Sequence, residues 1–230
     1  MAKSQNSTDE QVLSLLPGTI TDVVSVSPTS RRLLIQVDQQ PFVELSSLFL
    51  QECPLNEGEH LDRATGERLL DLKRQEEVFN YGLRALGRRN HTFKELSSKA
   101  KQKGYEEAHI KPALQRLVDR GLIDEYGFAL SFCREKLNHG GWGPEKIRAA
   151  LLKKGVPEEI IDPAQEQIVQ DVDWLALMRR QVAKKRNRFL KEPDISRRRK
   201  KMFDYLVRKG YNREHIWQFL DQLLSDLEDE

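Results

Sequence analysis

A segment that begins with Lys-Gly recurs three times in this chain of 230 residues, and it constrains the fold more than any other feature. The copies are Lys103–Ile110, Lys154–Ile161 and Lys209–Ile216. Their lysines are separated by 51 residues (103 to 154) and 55 residues (154 to 209), and apolar residues stand seven and three positions before each lysine. Self-similarity at a period of this length indicates repeated supersecondary units whose neighbours share a core.

Each Lys-Gly pair predicts the end of a helix. A lysine favours the negative end of the helix dipole, and glycine readily takes the left-handed conformation that follows the last turn. Pro112 and Pro163 lie two residues after the isoleucine of the first two copies, where a proline should kink or delay a helix. The third copy has Gln218 there, so its last helix can run straight.

The N-terminal part reads differently from the rest. Residues 1–16 are polar and then weakly apolar, which predicts a flexible tail. A small β-rich extension is predicted over 17–62, with a hairpin of Ile20–Val26 and Leu33–Val37 and a third strand at Phe42–Leu45. One face of the first strand would carry Ile20, Asp22, Val24 and Val26.

The remainder predicts a mainly α fold of three tandem three-helix repeats, over 72–122, 123–172 and 173–228, that form an elongated, curved body. In the first repeat a helix is predicted over Lys73–Arg89, and the spacing of Thr92 and Glu95 is that of a capping box. The third helix should end near Asp119–Gly121. The other helices are predicted at Asp124–Leu137, Pro144–Lys154, Pro157–Gln170, Trp174–Leu190, Ser196–Lys209 and Asn212–Leu227.

Motifs for catalysis or cofactor binding are missing from the sequence. Cys53 and Cys133 are too few for a zinc site, and Cys133 lies in an apolar stretch that predicts a core position. His91 and Glu95 have helical spacing but no third metal ligand nearby. No secretory or membrane-spanning apolar stretch occurs, so we expect a cytoplasmic protein with no cofactor, no metal and no enzymatic activity.

The segment Gly140–Gly143 invites comparison with a phosphate-binding loop because it precedes a helix. It lacks the preceding strand and the Gly-Lys-Ser/Thr ending that such a loop requires. A flexible connection between helices is the favoured interpretation, and the alternative makes Trp142 an exposed contact residue.

A strongly basic run covers Arg179–Lys201, with 12 basic and 2 acidic residues, a balance of +10. Such a run can be merely a solvated helix face, but solvated faces usually mix both signs. Its density favours a nucleic acid or an acidic protein surface as ligand. The last ten residues carry five acids, and we hypothesise that Asp226–Glu230 competes with DNA for the basic run.

Several of these stretches resemble a known family. Leu83–Thr92, followed by Glu95-Leu96, resembles the first-repeat signature of RecX regulatory proteins. Gly121–Arg134 resembles the stretch that joins the first two repeats of that family, and Trp142–Leu151 is similar to its second-repeat motif. The stretch Ile20–Leu61 is similar to a strand-rich N-terminal extension that many members carry.

The resemblance implies a regulator of the RecA recombinase in DNA repair, recombination and the SOS response. Members bind the RecA–DNA filament within its helical groove and alter filament growth and ATP hydrolysis. We therefore expect a monomer that contacts RecA through the first two repeats and DNA through the third; a stand-alone helical nucleic-acid-binding protein is the alternative. The expected contact residues are Arg88, Arg89, Trp142, Lys146, Arg148, Arg179, Arg180, Lys184, Lys185, Arg186, Arg188, Arg197, Arg198, Arg199, Lys200 and Lys201, for each of which surface solubility is the competing explanation.

Overall fold

The computed structural model describes residues 9–29, 31–170 and 172–229, which divide into two compact units, one up to Ile123 and one from Asp124. The first unit holds a small antiparallel sheet, three long helices and two short helical segments, and the second unit is helical. This confirms the predicted fold class of three-helix repeats preceded by a small β-rich extension. Among the described residues, every helix is too short or too polar to cross a membrane.

The sheet has one strand more than expected. Its strands are β1 (Gly18–Ser25), β2 (Arg32–Val37), β3 (Gln40–Ser46) and β4 (His60–Leu61), in the order β3-β2-β1-β4. A helical turn, α1 (Ser47–Leu50), follows β3. The fourth strand is only two residues long, which is too short to show the alternation of apolar and polar residues from which a strand is predicted.

The prediction of which β1 side chains share one face is correct for Ile20 and wrong for the residues after it. Ile20 is buried and pairs with Val37, but the register shifts before Asp22, which indicates a β-bulge. A bulge exchanges the two faces of a strand, because side chains alternate with a period of two. Val24 is therefore 41% exposed, and Val23 packs against the core instead.

Three helices complete the first unit, namely α2 (Arg63–Leu86), α3 (Phe93–Gln102) and α4 (Glu107–Asp119). The first of them begins well before the predicted Lys73, because the Asp62 side chain caps it by accepting a hydrogen bond from the N–H of Thr65. The predicted gap between the β-rich extension and the first repeat thus lies inside α2.

The predicted flexible tail is only partly described, since residues 1–8 lie outside the described residues. Residues 9–13 are helical, Leu13 is buried in the core of the first unit, and Asp9 forms an ion pair with Arg74. For residues 9–16 the structure therefore differs from the expectation, because their apolar side chains pack on the core.

The second unit contains seven helices and one π-helical turn within its described residues. They are α5 (Glu125–Glu135), the π-helical turn Lys136–Gly140, α6 (Pro144–Lys153), α7 (Glu158–Val169), α8 (Trp174–Ala183), α9 (Arg186–Leu190), α10 (Ile195–Lys209) and α11 (Arg213–Asp229). The helix predicted over Trp174–Leu190 is broken at Lys184–Lys185, and beyond the break Phe189 is buried in the core of the third repeat. Trp174 and Leu177 pack against the cores of both the second and the third repeats.

Equivalent positions of the three copies have equivalent environments. The apolar residues before each Lys-Gly pair and the isoleucine that ends each copy are all at most 1% exposed: Leu96, Ala100, Ile110, Ile147, Leu151, Ile161, Met202, Leu206 and Ile216. The repeat read from the sequence is therefore a repeat of core positions.

The predicted helix ends are confirmed at all three Lys-Gly pairs. Gly104, Gly155 and Gly210 have φ angles of +91°, +83° and +87°. In the first copy the N–H of Tyr105 donates to the carbonyl of Ala100 (3.2 Å), and the other two copies repeat this bond. This is the Schellman arrangement, which satisfies carbonyls left over at a helix end.

The two repeated prolines do not delay their helices. Pro112 and Pro163 lie inside α4 and α7, which begin five residues earlier, at Glu107 and Glu158. The third copy, without the proline, has the longest final helix, with 17 residues against 13 and 12.

Candidate functional site

The basic run Arg179–Lys201 extends from α8 through α9 into α10, and the structure neutralises part of it. Arg179 Nε lies 2.7 Å from the Asp226 carboxylate. Arg199 forms an ion pair with Asp221, and Lys201 pairs with Glu192 in the turn between α9 and α10. The charge that these cations can offer to a ligand is therefore reduced.

Other arginines of the run bond to the backbone of their own unit. Arg198 is only 8% exposed, and its Nε donates to the carbonyl of Glu192 (3.0 Å). Arg186 donates to the carbonyl of Leu227 (3.2 Å), near the end of α11. These side chains brace the third repeat, and Arg198 in particular does not lie on the surface as predicted.

Arg180 is exposed, and its guanidinium donates to the carbonyl of Asn138 (2.9 Å) in the second repeat. The six remaining cations of the run are exposed and form no ion pair with any described residue. They are Lys184, Lys185, Arg188, Lys191, Arg197 and Lys200. Solvated cations without carboxylate partners are the groups that can exchange their counterions for phosphates at least cost. This subset, rather than the whole run, is the candidate contact surface.

The segment predicted as a flexible connection, Gly140–Gly143, is packed against the third repeat. The N–H of Gly143 donates to the carbonyl of Lys209 (2.8 Å), and the N–H of Glu145 donates to the carbonyl of Gly210 (3.1 Å). The first turn of α6 thus lies against the last turn of α10, and each satisfies backbone groups that a helix end leaves unpaired.

Trp142, predicted as an exposed contact residue, is half-buried beside the second-repeat core. Its ring lies edge-on to Phe132, with 6.5 Å between the centroids. The Lys146 ammonium lies 4.5 Å from the Trp142 centroid, and Lys136 lies 5.6 Å from it. The indole therefore contacts cations of its own repeat and helps to hold Lys146 in place.

Lys209 lies within electrostatic reach of three other lysines from the second and third repeats, and we call the four the junction lysines: Lys146, Lys184, Lys185 and Lys209. Burial lowers the pKa of Lys209, and the positive charges of the other three lower it further. Sequence reasoning missed Lys209, which it treated as the end of a helix. Only packing of the third repeat on the second brings it to Lys146.

Outside the third repeat, two of the predicted contact residues already form ion pairs within the chain, which makes them less available to a partner. Arg148 forms ion pairs with Asp162 and with Glu158, the latter at 3.2 Å. In the first unit, Arg89 pairs with Glu95 at 2.9 Å. Arg88 is exposed and forms no ion pair with the described residues.

An exposed aromatic surface on the third repeat was also missed. Trp217 is 55% exposed, and its ring lies 4.7 Å from that of Phe203 and 5.7 Å from the Arg199 guanidinium. Ile195, one turn before Arg199 on α10, is 65% exposed. Trp217 directly follows the buried Ile216, so the helical period could have placed it on the outside.

Both cysteines are free and buried, as predicted for Cys133. Burial raises the pKa of the Cys133 thiol to about 11, so it is protonated at neutral pH. Over the described ranges, no three His, Cys, Asp or Glu side chains are grouped so that they could hold a metal ion.

Comparisons with known proteins agree on one family. Models of the first, second and third three-helix domains of RecX match residues 79–117, 124–164 and 171–220. A regulatory protein RecX of Chlorobium phaeobacteroides is 35% identical over 146 residues, which cover 64% of this chain and 93% of that protein. A regulatory protein RecX of Prosthecochloris aestuarii is 33% identical over 149 residues, covering 65% and 95%. A crystal structure of a regulatory protein RecX has the same fold, with a TM-score of 0.76 and 24% identity, covering 93% of this chain and all of that one.

Proposed function

Because the chain belongs to the RecX family of regulatory proteins, we propose that it binds the RecA recombinase–DNA filament and lowers its strand-exchange and ATPase activities. In this proposal it acts in recombination, DNA repair and the SOS response, as a cytoplasmic monomer and without catalysis of its own. Family membership supports the regulatory role, and RecA and DNA are the partners that we assign to it.

The observation that carries the DNA part of the proposal is the set of exposed cations without ion pairs in the third repeat. A filament displays a regular row of DNA phosphates, and cations that need not first break an ion pair bind phosphates best. Lys184 and Lys185 lie at the break between α8 and α9, whereas Arg197 and Lys200 lie in the first half of α10.

RecA contacts are assigned to the first two repeats, where the family signature is strongest. Arg88 is exposed and forms no ion pair with described residues, so a protein partner can reach it. Arg148 is held between two carboxylates and needs a rearrangement to serve a partner. We therefore rank Arg88 above Arg148 as a contact.

A strand-exchange assay tests the proposal. RecA-mediated exchange between circular single-stranded and linear duplex DNA should slow as this chain is titrated in. The double variant Arg197→Glu/Lys200→Glu should need a severalfold higher concentration for the same effect, because it places two negative charges on the DNA-facing surface. Lys111→Glu/Lys153→Glu, at exposed lysines without ion pairs among the described residues, is the matched control and should behave as wild type.

The alternative, a stand-alone nucleic-acid-binding protein, is also favoured by the unpaired cations and gives a different outcome. In that case the chain binds DNA with a steep salt dependence, yet strand exchange proceeds unchanged once RecA has covered the single strand. That result would remove the regulatory proposal and leave DNA binding.

A further inference from the structure

We propose that the junction lysines form a composite binding site for the phosphodiester backbone of a nucleic acid, built jointly by the second and third repeats. The inference rests on the proposed function, whose DNA contact it places at defined residues. It also changes that contact, since Lys146 and Lys209 lie outside the basic run that the sequence pointed to.

The backbone fixes two of the four lysines beside each other. Hydrogen bonds join the N–H of Gly143 to the carbonyl of Lys209 (2.8 Å) and the N–H of Glu145 to the carbonyl of Gly210 (3.1 Å). A Cβ atom added at Gly210 would overlap the Cβ of Lys146, so main chain and side chain are in close contact there. Main-chain packing therefore fixes the backbone of Lys146 beside that of Lys209.

The other two lysines complete a cluster of one sign. Lys184 and Lys185 follow the last turn of α8. That turn lies against α10, because the Tyr205 hydroxyl donates to the carbonyl of Gln181 (3.4 Å) and the Lys209 ammonium lies 5.8 Å from the Tyr205 ring centroid. None of the four forms an ion pair with a residue that the structure describes. Like charges held together without a counter-charge are unfavourable, and a bound anion relieves the repulsion.

Helix-end electrostatics explain only part of the cluster. Lysines at the C-terminal ends of α8 and α10 suit the negative ends of the helix dipoles. Lys146 contradicts that explanation, because it is the third residue of α6, where the dipole disfavours a cation. Its ammonium is nevertheless held 4.5 Å from the Trp142 ring centroid.

The arrangement suits a chain of phosphates better than a single small anion. Lysine ammonium groups act as point charges on flexible stems and lack the fixed fork with which arginine recognises one shaped anion. Lys184 and Lys185 are exposed, and the exposed Arg188, which forms no ion pair with a described residue, follows three residues later on α9, so further positive charge adjoins the junction lysines along the chain. A polyanion can contact several of these cations at once and release a counterion at each phosphate that is neutralised.

The test is equilibrium binding of the full chain to a fluorescein-labelled oligothymidylate, measured by anisotropy at several NaCl concentrations and without RecA. Wild type should bind, and the double variant Lys146→Gln/Lys209→Gln should bind about tenfold more weakly at low salt. The slope of log K against log [NaCl] should fall by about 1.4, because each lysine that neutralises a phosphate of a single strand contributes about 0.7 to it. Lys146→Arg/Lys209→Arg should retain the wild-type slope.

Two comparisons separate this site from diffuse attraction and from misfolding. Lys111→Gln/Lys153→Gln removes the same charge elsewhere and should leave the slope within error of wild type. Thermal unfolding of the junction variant should occur close to the wild-type temperature, because the repulsion that is removed offsets the lost helix-end and Trp142 contacts. An unchanged slope in the junction variant, an equal loss in the control, or no wild-type binding at low salt overturns the proposal. Because RecA is absent, none of these outcomes decides whether the chain regulates the filament.

Discussion

At the scale of single residues, carboxylates of α11 decide which basic side chains of the third repeat are free to bind a ligand. Asp226 pairs with Arg179 at 2.7 Å, and Asp221 pairs with Arg199. Our hypothesis is that the acidic C-terminal stretch competes with DNA for the basic run. The ion pair between Asp226 and Arg179 is a contact through which such competition can act. Residue 230 lies outside the described residues.

Asp226→Asn should therefore tighten DNA binding by roughly twofold to fivefold at low salt, since it frees one arginine and removes one negative charge. Anisotropy with a labelled oligonucleotide measures this change. The control Glu159→Gln removes an exposed carboxylate of the second repeat and should have a smaller effect. The point substitution is preferable to deletion of Asp226–Glu230, which would also remove the buried Leu227. Equal affinities for wild type and Asp226→Asn would dismiss the competition.

Gly104 and Gly210 are equivalent in the repeat but not in their surroundings. Both have a positive φ, so alanine at either should cost about 1 kcal/mol of stability from backbone strain. Around Gly104 a Cβ atom meets nothing within 4 Å, whereas at Gly210 it would overlap Lys146. Chemical denaturation should show Gly210→Ala to be less stable than Gly104→Ala by roughly a further 2 kcal/mol. Equal losses would mean that the junction between the repeats is looser than described.

His91 should make stability depend on pH. Burial lowers the pKa of His91, and its hydrogen bond to Glu95 (3.0 Å) only partly opposes that effect. The unfolded chain, with a histidine pKa of about 6.5, then binds protons more readily than the folded chain. The stability contributed by neutral His91 is present above about pH 6.5 and is lost as the pH falls toward its folded pKa. Urea denaturation at pH 7.5 and 5.5 should show a smaller pH effect in His91→Gln than in wild type, and an NMR titration that places His91 above 6.5 would contradict this.

At the level of the helices and strands, the repeated prolines are the clearest departure from an ideal sequence. Pro163 is exposed and lies inside α7, where it removes one helical hydrogen bond. Pro163→Ala should therefore stabilise the protein by about 1–3 kcal/mol in chemical denaturation. Pro144→Ala, at the first position of α6, is the control and should change stability little. A destabilised Pro163→Ala would show that the helix is adapted to its proline.

The sequence predicts the ends of helices well where a residue has a specific conformational or hydrogen-bonding property. The helix ends at Gly104 and Gly210 follow from the left-handed conformation that glycine tolerates, and the cap at Thr92 follows from its side-chain oxygen. Prediction failed where packing decides. The bulge after Ile20 exchanges the faces of β1 without any glycine or proline to announce it, and nothing in the composition separates α8 from α9.

For the molecule as a whole, the sequence predicts that the candidate site carries positive charge, but it does not predict which residues form the site. A local balance of +10 is visible in the sequence, yet Arg198 is buried and Arg179 and Lys201 are neutralised by carboxylates distant in sequence or across a turn. Lys209 joins the site only because α10 ends against α6. Pairing and proximity of this kind depend on tertiary structure, so composition alone cannot reveal them.

The central claim, that the chain regulates a RecA filament and contacts its DNA through the third repeat, is tested most directly by RecA ATPase activity on single-stranded DNA. Added chain should lower the steady-state rate in a concentration-dependent manner, and Arg197→Glu/Lys200→Glu should shift the half-effective concentration upward severalfold while Lys111→Glu/Lys153→Glu does not. An ATPase rate that stays constant at saturating chain, under conditions in which the chain binds the same DNA, would contradict the account.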